Sequence, residues 1–109
     1  MQERELDTPS AGFYAYAAAR DAAQRSYAAS THYTEQQKVR AERMKLAIEL
    51  MYSARSVHLN YRKGFVAIKL DSPRVIDRAN LAQMETEWAA AGIAKVVTTQ
   101  GIIYRIPKK

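Results

Sequence analysis

The chain contains no cysteine. Disulfides, thiolate zinc sites and thiol nucleophiles are therefore excluded, and its 109 residues must hold together by packing alone. No apolar run approaches the roughly 18 residues that a bilayer-spanning helix needs, so no membrane partner is expected. The four glycines are widely separated, which rules out Walker-type and dinucleotide-binding glycine loops. The two histidines, His32 and His58, stand far apart without supporting ligands at metal-site spacing. Carboxylates are sparse. Glu85 and Glu87 are two residues apart and fall on different sides of a helix, a poor geometry for acid–base chemistry. The expectation is a binding protein rather than an enzyme, with no metal and no cofactor.

What the chain does have is positive charge, unevenly placed. The formal charge is +6. Residues 1–35 hold three arginines against five acids, and residues 36–109 hold fourteen Lys and Arg against six acids. A basic body with a mildly acidic head suits a polyanionic partner. The start, Met1-Gln2-Glu3-Arg4-Glu5, is unlike a secretory leader, and a cytoplasmic location is expected.

Residues 1–10 read as a flexible tail ahead of a single domain over 11–109. From Ala11 to about Ala29 the density of alanine, the best helix former, predicts a helix. At 3.6 residues per turn, Phe13, Tyr16, Arg20, Gln24 and Tyr27 share one side, and Ala15, Ala18, Ala19, Ala22 and Ala29 the other. The aromatic side is expected to pack on the helix's own domain. Its alternative use, through Phe13, Tyr16, Arg20 and Tyr27, is as a protein interface, since Tyr and Arg are favoured at binding hot spots. The two-sided character also favours a homodimer.

Thr34 and Gln37 form a capping-box pattern that opens a second helix, expected to reach about Arg55. Val39, Met44, Leu46, Ala47, Ile48, Leu50, Met51 and Ala54 cover more than half of its circumference and predict a central helix. Arg40 and Arg43 fall inside that apolar arc, where snorkelling to water along their methylene stems is expected, with the lining of a polar groove as the alternative.

The period then switches to alternation. A two-residue loop at Lys63-Gly64 pairs Tyr61 with Val66, Leu59 with Ile68 and Val57 with Leu70, all apolar and all on one face. The opposite face carries His58, Asn60, Arg62, Phe65 and Lys69. The segment Lys63-Gly64-Phe65-Val66-Ala67-Ile68-Lys69-Leu70 resembles the ribonucleoprotein motif of RNA-recognition-motif domains at Lys63, Gly64, Phe65 and Ile68. Ala67 and Leu70 stand where that pattern has aromatics, and the element order differs, so the chain is not assigned to that family.

Ser72-Pro73 reads as the cap and first residue of a third helix, with Asn80 as an alternative start. Gly92 fits the left-handed position after its last turn, and Trp88, with Leu81 and Met84, reads as a core anchor. Ile93–Thr98 and Ile102–Ile106 flank Thr99-Gln100-Gly101 as a second hairpin. Its nearly continuous apolar strands suggest cover on both faces or pairing with another copy.

The fold expected is α+β: two N-terminal helices, then hairpin, helix and hairpin in one antiparallel sheet, with a winged-helix arrangement as the rival. The function expected is nucleic-acid binding, to DNA or RNA, with little base specificity. Arg62, Lys63, Lys69, Arg74, Arg78 and Arg105 would meet phosphates, and Phe65 would stack. The alternative is a small protein-interaction module, an inhibitor or assembly adaptor, acting through the Tyr/Arg helix face.

Overall fold

The computed structural model describes residues 11–108. The tail expected over 1–10 lies outside them. Three helices, α1 (Ala11–Ser30), α2 (Glu35–Met51) and α3 (Arg78–Ala90), combine with six strands. These are β1 (Tyr52–Ser53), β2 (Ser56–Tyr61), β3 (Phe65–Asp71), β4 (Arg74–Val75), β5 (Ala94–Val97) and β6 (Gly101–Pro107). The class is α+β, as the alternation of periods implies.

The main sheet is antiparallel, in the order β2-β3-β6-β5. The first hairpin adopts the register read from the pattern: Tyr61 opposite Val66, Leu59 opposite Ile68 and Val57 opposite Leu70. A winged helix would leave the last hairpin as a free wing. Here β6 pairs with β3 along its whole length, from Phe65↔Pro107 to Asp71↔Gly101, and so lies inside the sheet. Gly101 allows that pairing to reach its end, because a Cβ there would overlap the Leu70 carbonyl oxygen.

Strand alternation sends Val66, Ile68 and Leu70 of β3, with Tyr104 and Ile106 of β6, to the inner face under α2 and α3. Ile48, Met44 and Met51 of α2 and Leu81 and Trp88 of α3 complete this core. The α2 helix is less central than its composition suggests. It buries one stripe, Ala41, Met44, Ile48 and Met51, while Val39, Leu46 and Leu50 remain exposed. The sheet covers only one side of it, and among the described residues no second layer stands behind.

Two element boundaries differ from the sequence expectation. Helix α2 stops at Met51, because Tyr52 and Ser53 pair with Val75 and Arg74 as a two-stranded ribbon. The Met51 carbonyl accepts hydrogen bonds from the N–H groups of Ile76 (2.9 Å) and Asp77 (3.2 Å), tying the end of α2 to the start of α3. Helix α3 is capped by Asp77, whose side chain accepts from the Asn80 N–H at 3.2 Å, and not by Ser72. Ser72 has φ +51°, in the left-handed region and incompatible with an N-cap, and Pro73 leads into β4. Gly92, at φ +84°, takes the left-handed position after α3 as expected.

Helix α1 is an arm. Twenty residues at about 1.5 Å each make it about 30 Å long, and the whole molecule measures 60 × 32 × 20 Å. It contributes no residue to the core cluster. The expected packing of its aromatic side does not occur: Tyr16 is 65 % and Tyr27 75 % exposed. Its anchorage is polar and lies at its C-terminal end, where Ser26 Oγ accepts the Tyr61 N–H of edge strand β2 (3.0 Å).

Candidate nucleic-acid interface

All the core side chains of the helices meet the inner face of the sheet, which leaves the other face bare among the described residues. Register places its side chains in rows. Asn60, Ala67, Arg105 and Ala94 form one row, and His58, Lys69, Ile103 and Val96 the next. Phe65 and Pro107 stand opposite each other at one end, beside the Arg62-Lys63-Gly64 turn. Among the described residues Asp71 is the one carboxylate in these rows, at the far end of β3 and two residues from Lys69.

The turn is held in place. The Arg62 N–H donates to the Phe65 carbonyl (2.9 Å), and the Arg62 carbonyl accepts from the Tyr33 hydroxyl (2.8 Å). Burial raises the pKa of Tyr33, which keeps that hydroxyl a donor through the neutral range. Tyr33 is itself buried and tilts against Tyr61, with ring centroids 5.2 Å apart. An aromatic pair under the backbone therefore fixes the root of the turn, while Arg62 and Lys63 extend into water.

On the bare face the Arg105 guanidinium lies 5.1 Å from the Phe65 ring centroid, a cation–π arrangement. Ala67 is only 9 % exposed although no helix covers it. Asn60 and Arg105 flank it in register, so the centre of the face is small and closely bordered.

Of the residues assigned to phosphate or base contact, Arg62, Lys63, Phe65, Lys69 and Arg105 come together here. Arg74 and Arg78 do not. They sit in β4 and at the first residue of α3, past the other end of β3. The length of β3 separates them from Lys63, roughly 20 Å at about 3.3 Å per residue. Three cations not assigned to these contacts, Arg40, Arg43 and Lys108, gather at the Lys63 end instead, the two arginines lining a groove, which was the alternative to snorkelling. The three-residue spacing of Arg40 and Arg43 was the available signal.

The inner face keeps its polar groups to itself. Tyr104 donates its hydroxyl to Glu85 Oε2 (2.8 Å) and lies 2.8 Å from the Tyr52 hydroxyl, and Lys95 Nζ reaches the same Glu85 oxygen at 2.7 Å. Burial, then the hydrogen bonds with Tyr52 and Glu85, push the Tyr104 phenol far above its ordinary pKa. Burial would raise the Glu85 carboxyl, but hydrogen bonds from Lys95 and Tyr104 and the Lys95 charge outweigh it and hold the pKa down. This cluster is a structural tie between α3 and the β5 edge. Among the described residues no three potential metal ligands converge, and no helix is long and apolar enough to cross a membrane.

The proposed protein-interface residues Phe13, Tyr16, Arg20 and Tyr27 all lie exposed on α1, and Arg20 approaches Asp21 at 3.9 Å. No protein-family model, curated protein or solved structure matches the chain.

Proposed function

We propose that the protein binds single-stranded DNA or RNA across the bare face of its sheet, with little base preference. The observation that carries this reading is Phe65 with Arg62, Lys63 and Arg105 at one end of the face and Lys69 farther along it, while among the described residues the one carboxylate in these rows, Asp71, stands at the far end of β3. An unpaired base stacks on Phe65, with Arg105 moving aside or stacking in turn, and the lysines and arginines meet the phosphates. The small residue at the centre, Ala67, lets a strand approach the sheet closely. Four strands about 4.8 Å apart give a platform roughly 14 Å wide, a width suited to one strand. Asn60 opposite Ala67 and His58 opposite Lys69 offer few side chains to read a sequence.

The test is a salt titration of binding to single-stranded oligonucleotides. Arg62→Glu with Lys63→Glu is expected to weaken binding about a hundredfold at low salt and to flatten the salt dependence by about 0.7 per lost phosphate contact. Phe65→Ala should cost about 1–3 kcal/mol of binding and leave the salt slope unchanged. A wild-type protein that shows no salt-dependent binding sinks the reading.

A second reading is favoured by the exposure of Tyr16 and Tyr27 on a projecting helix. In it α1 docks on a partner protein, and Tyr16→Ala with Arg20→Ala removes partner binding while leaving nucleic-acid binding intact. The charge reversal at Arg62 and Lys63 has the opposite outcome.

A further inference from the structure

The cationic end of the bare face continues around the edge of the molecule. Phe65 is opposite Pro107, and the next residue, Lys108, donates its N–H to the Gly64 carbonyl at 3.2 Å. The Lys108 carbonyl accepts a hydrogen bond from Gln37 Nε2, in the first turn of α2. Its ammonium lies 5.1 Å from the Tyr33 ring centroid. The C-terminal strand is thus laced onto α2 directly behind the Arg62-Lys63 turn. There Gln36, Gln37, Val39, Arg40, Arg43 and Lys108 line a cavity of about 510 Å³, within the range of small-ligand clefts.

The chemistry of that lining is one-sided. Arg40 and Arg43 are three residues apart and share a flank of the helix. Among the described residues neither has a carboxylate within ion-pair distance. Glu87 of α3 lines the adjoining groove with both arginines without closing an ion pair to either. Guanidinium groups match phosphate oxygens in a bidentate fork, and the Gln36 amide adds a neutral donor. No acidic side chain lines the cavity itself.

We propose that this cavity binds a backbone phosphate of the same single strand that lies on the sheet. The strand then runs from Phe65 past Lys108 onto the N-terminal half of α2. The path rests on the sheet-face reading, whereas the anchor, Arg40 and Arg43, stands on its own geometry.

The test uses the full chain and fluorescence anisotropy with oligothymidylates of about 4 and about 15 nucleotides, which bracket common single-strand site sizes. Arg40→Gln with Arg43→Gln should weaken the longer strand about tenfold and lower its log–log salt slope by about 1.4, two contacts at about 0.7 each. The shorter strand, confined to the sheet, should change by less than about twofold, and Arg40→Lys with Arg43→Lys should restore most of the slope. Equal weakening of both lengths, or of neither, overturns the proposal. So does saturable binding of thymidine monophosphate that the glutamine variant abolishes while the longer strand is unaffected, since the ligand is then a free nucleotide. If Phe65→Ala is inert at both lengths while the glutamine variant still acts on the longer strand alone, the sheet-face reading falls and the cavity stands. Failure of the wild type to bind either length removes both.

Discussion

Ile68 and Lys69 are neighbours in β3 and face opposite ways. Ile68 is wholly buried between the sheet and the helices, whereas Lys69 stands in water on the bare face. The contrast extends across the sheet. On the inner face the polar groups satisfy one another, as Tyr52, Tyr104, Glu85 and Lys95 do in a connected cluster. On the bare face Arg62, Lys63, Lys69 and Arg105 have no carboxylate within ion-pair distance among the described residues. On the proposed reading, a sheet with one face closed on itself and the other cationic would separate folding from binding, because alternation assigns each residue to one face or the other.

The strongest way to break this comparison is at those two neighbours. Ile68→Ala is expected to cost about 4 kcal/mol of stability, since the site is sealed by strands and helices and collapses poorly. Protein that still folds should bind oligonucleotides as the wild type does. Lys69→Ala should leave the denaturation midpoint within about 0.5 kcal/mol of the wild type, yet weaken binding and reduce the salt slope by about 0.7. Chemical denaturation and anisotropy on both variants measure the four quantities. A binding defect in folded Ile68→Ala would show that the two faces are not independent.

A smaller effect probes the polar part of the inner face. Glu85→Gln removes an ion pair and weakens the tie to Tyr104, and about 1 kcal/mol of stability is expected to go with it, the half-exposed setting limiting the loss. The pH dependence carries a sign. The Glu85 pKa is lowered in the folded state from an ordinary value of 4.5, so its contribution is complete above that value and is lost as pH falls through the folded pKa. The Lys95 pKa is raised from 10.5, so its contribution is complete below that value and fades as pH rises through the folded pKa. The stability gap between wild type and Glu85→Gln should therefore be flat through neutral pH and narrow below about pH 4.5. Urea unfolding across pH checks it, and a gap that widens in acid contradicts the assignment.

How much of this was legible in the sequence follows from how local each signal is. The β2–β3 register could be read because two alternating strands agree across a two-residue loop, and each strand constrains the other. The end of α2 could not, because Tyr52-Ser53 becomes strand only by meeting Arg74-Val75, whose paired residues lie 21 and 23 positions on. The same ribbon displaces the start of α3 from Ser72 to Asp77. For the site, alternation alone put Arg62, Phe65 and Lys69 on one face. Whether Arg74 and Arg78 would join them depended on which end of β3 they reach, and that is a matter of topology. The approach of Lys108 was hidden for the same reason, since the β3–β6 pairing brings the end of β6 to α2, whereas the place of Arg40 and Arg43 inside an apolar arc had already offered a polar groove as an alternative.

The smallest expected effect concerns the arm rather than the sheet. An isolated helix of about 20 residues is marginal in water even when rich in alanine, and α1 docks mainly through its last turns. The aromatic side chains of Tyr16 and Tyr27 gain little from the domain they belong to. Tyr16→Ala with Arg20→Ala should accordingly shift global stability by less than about 0.5 kcal/mol, while helicity, if anything, rises with the added alanines. Thermal unfolding and light scattering on the same samples separate two outcomes. An unchanged midpoint and mass fit an arm that waits for a partner. A midpoint that falls by several degrees together with the mass means that the Tyr16 side of α1 is already buried against a second copy of the chain, and the arm then belongs with the inner face as a surface that stabilises.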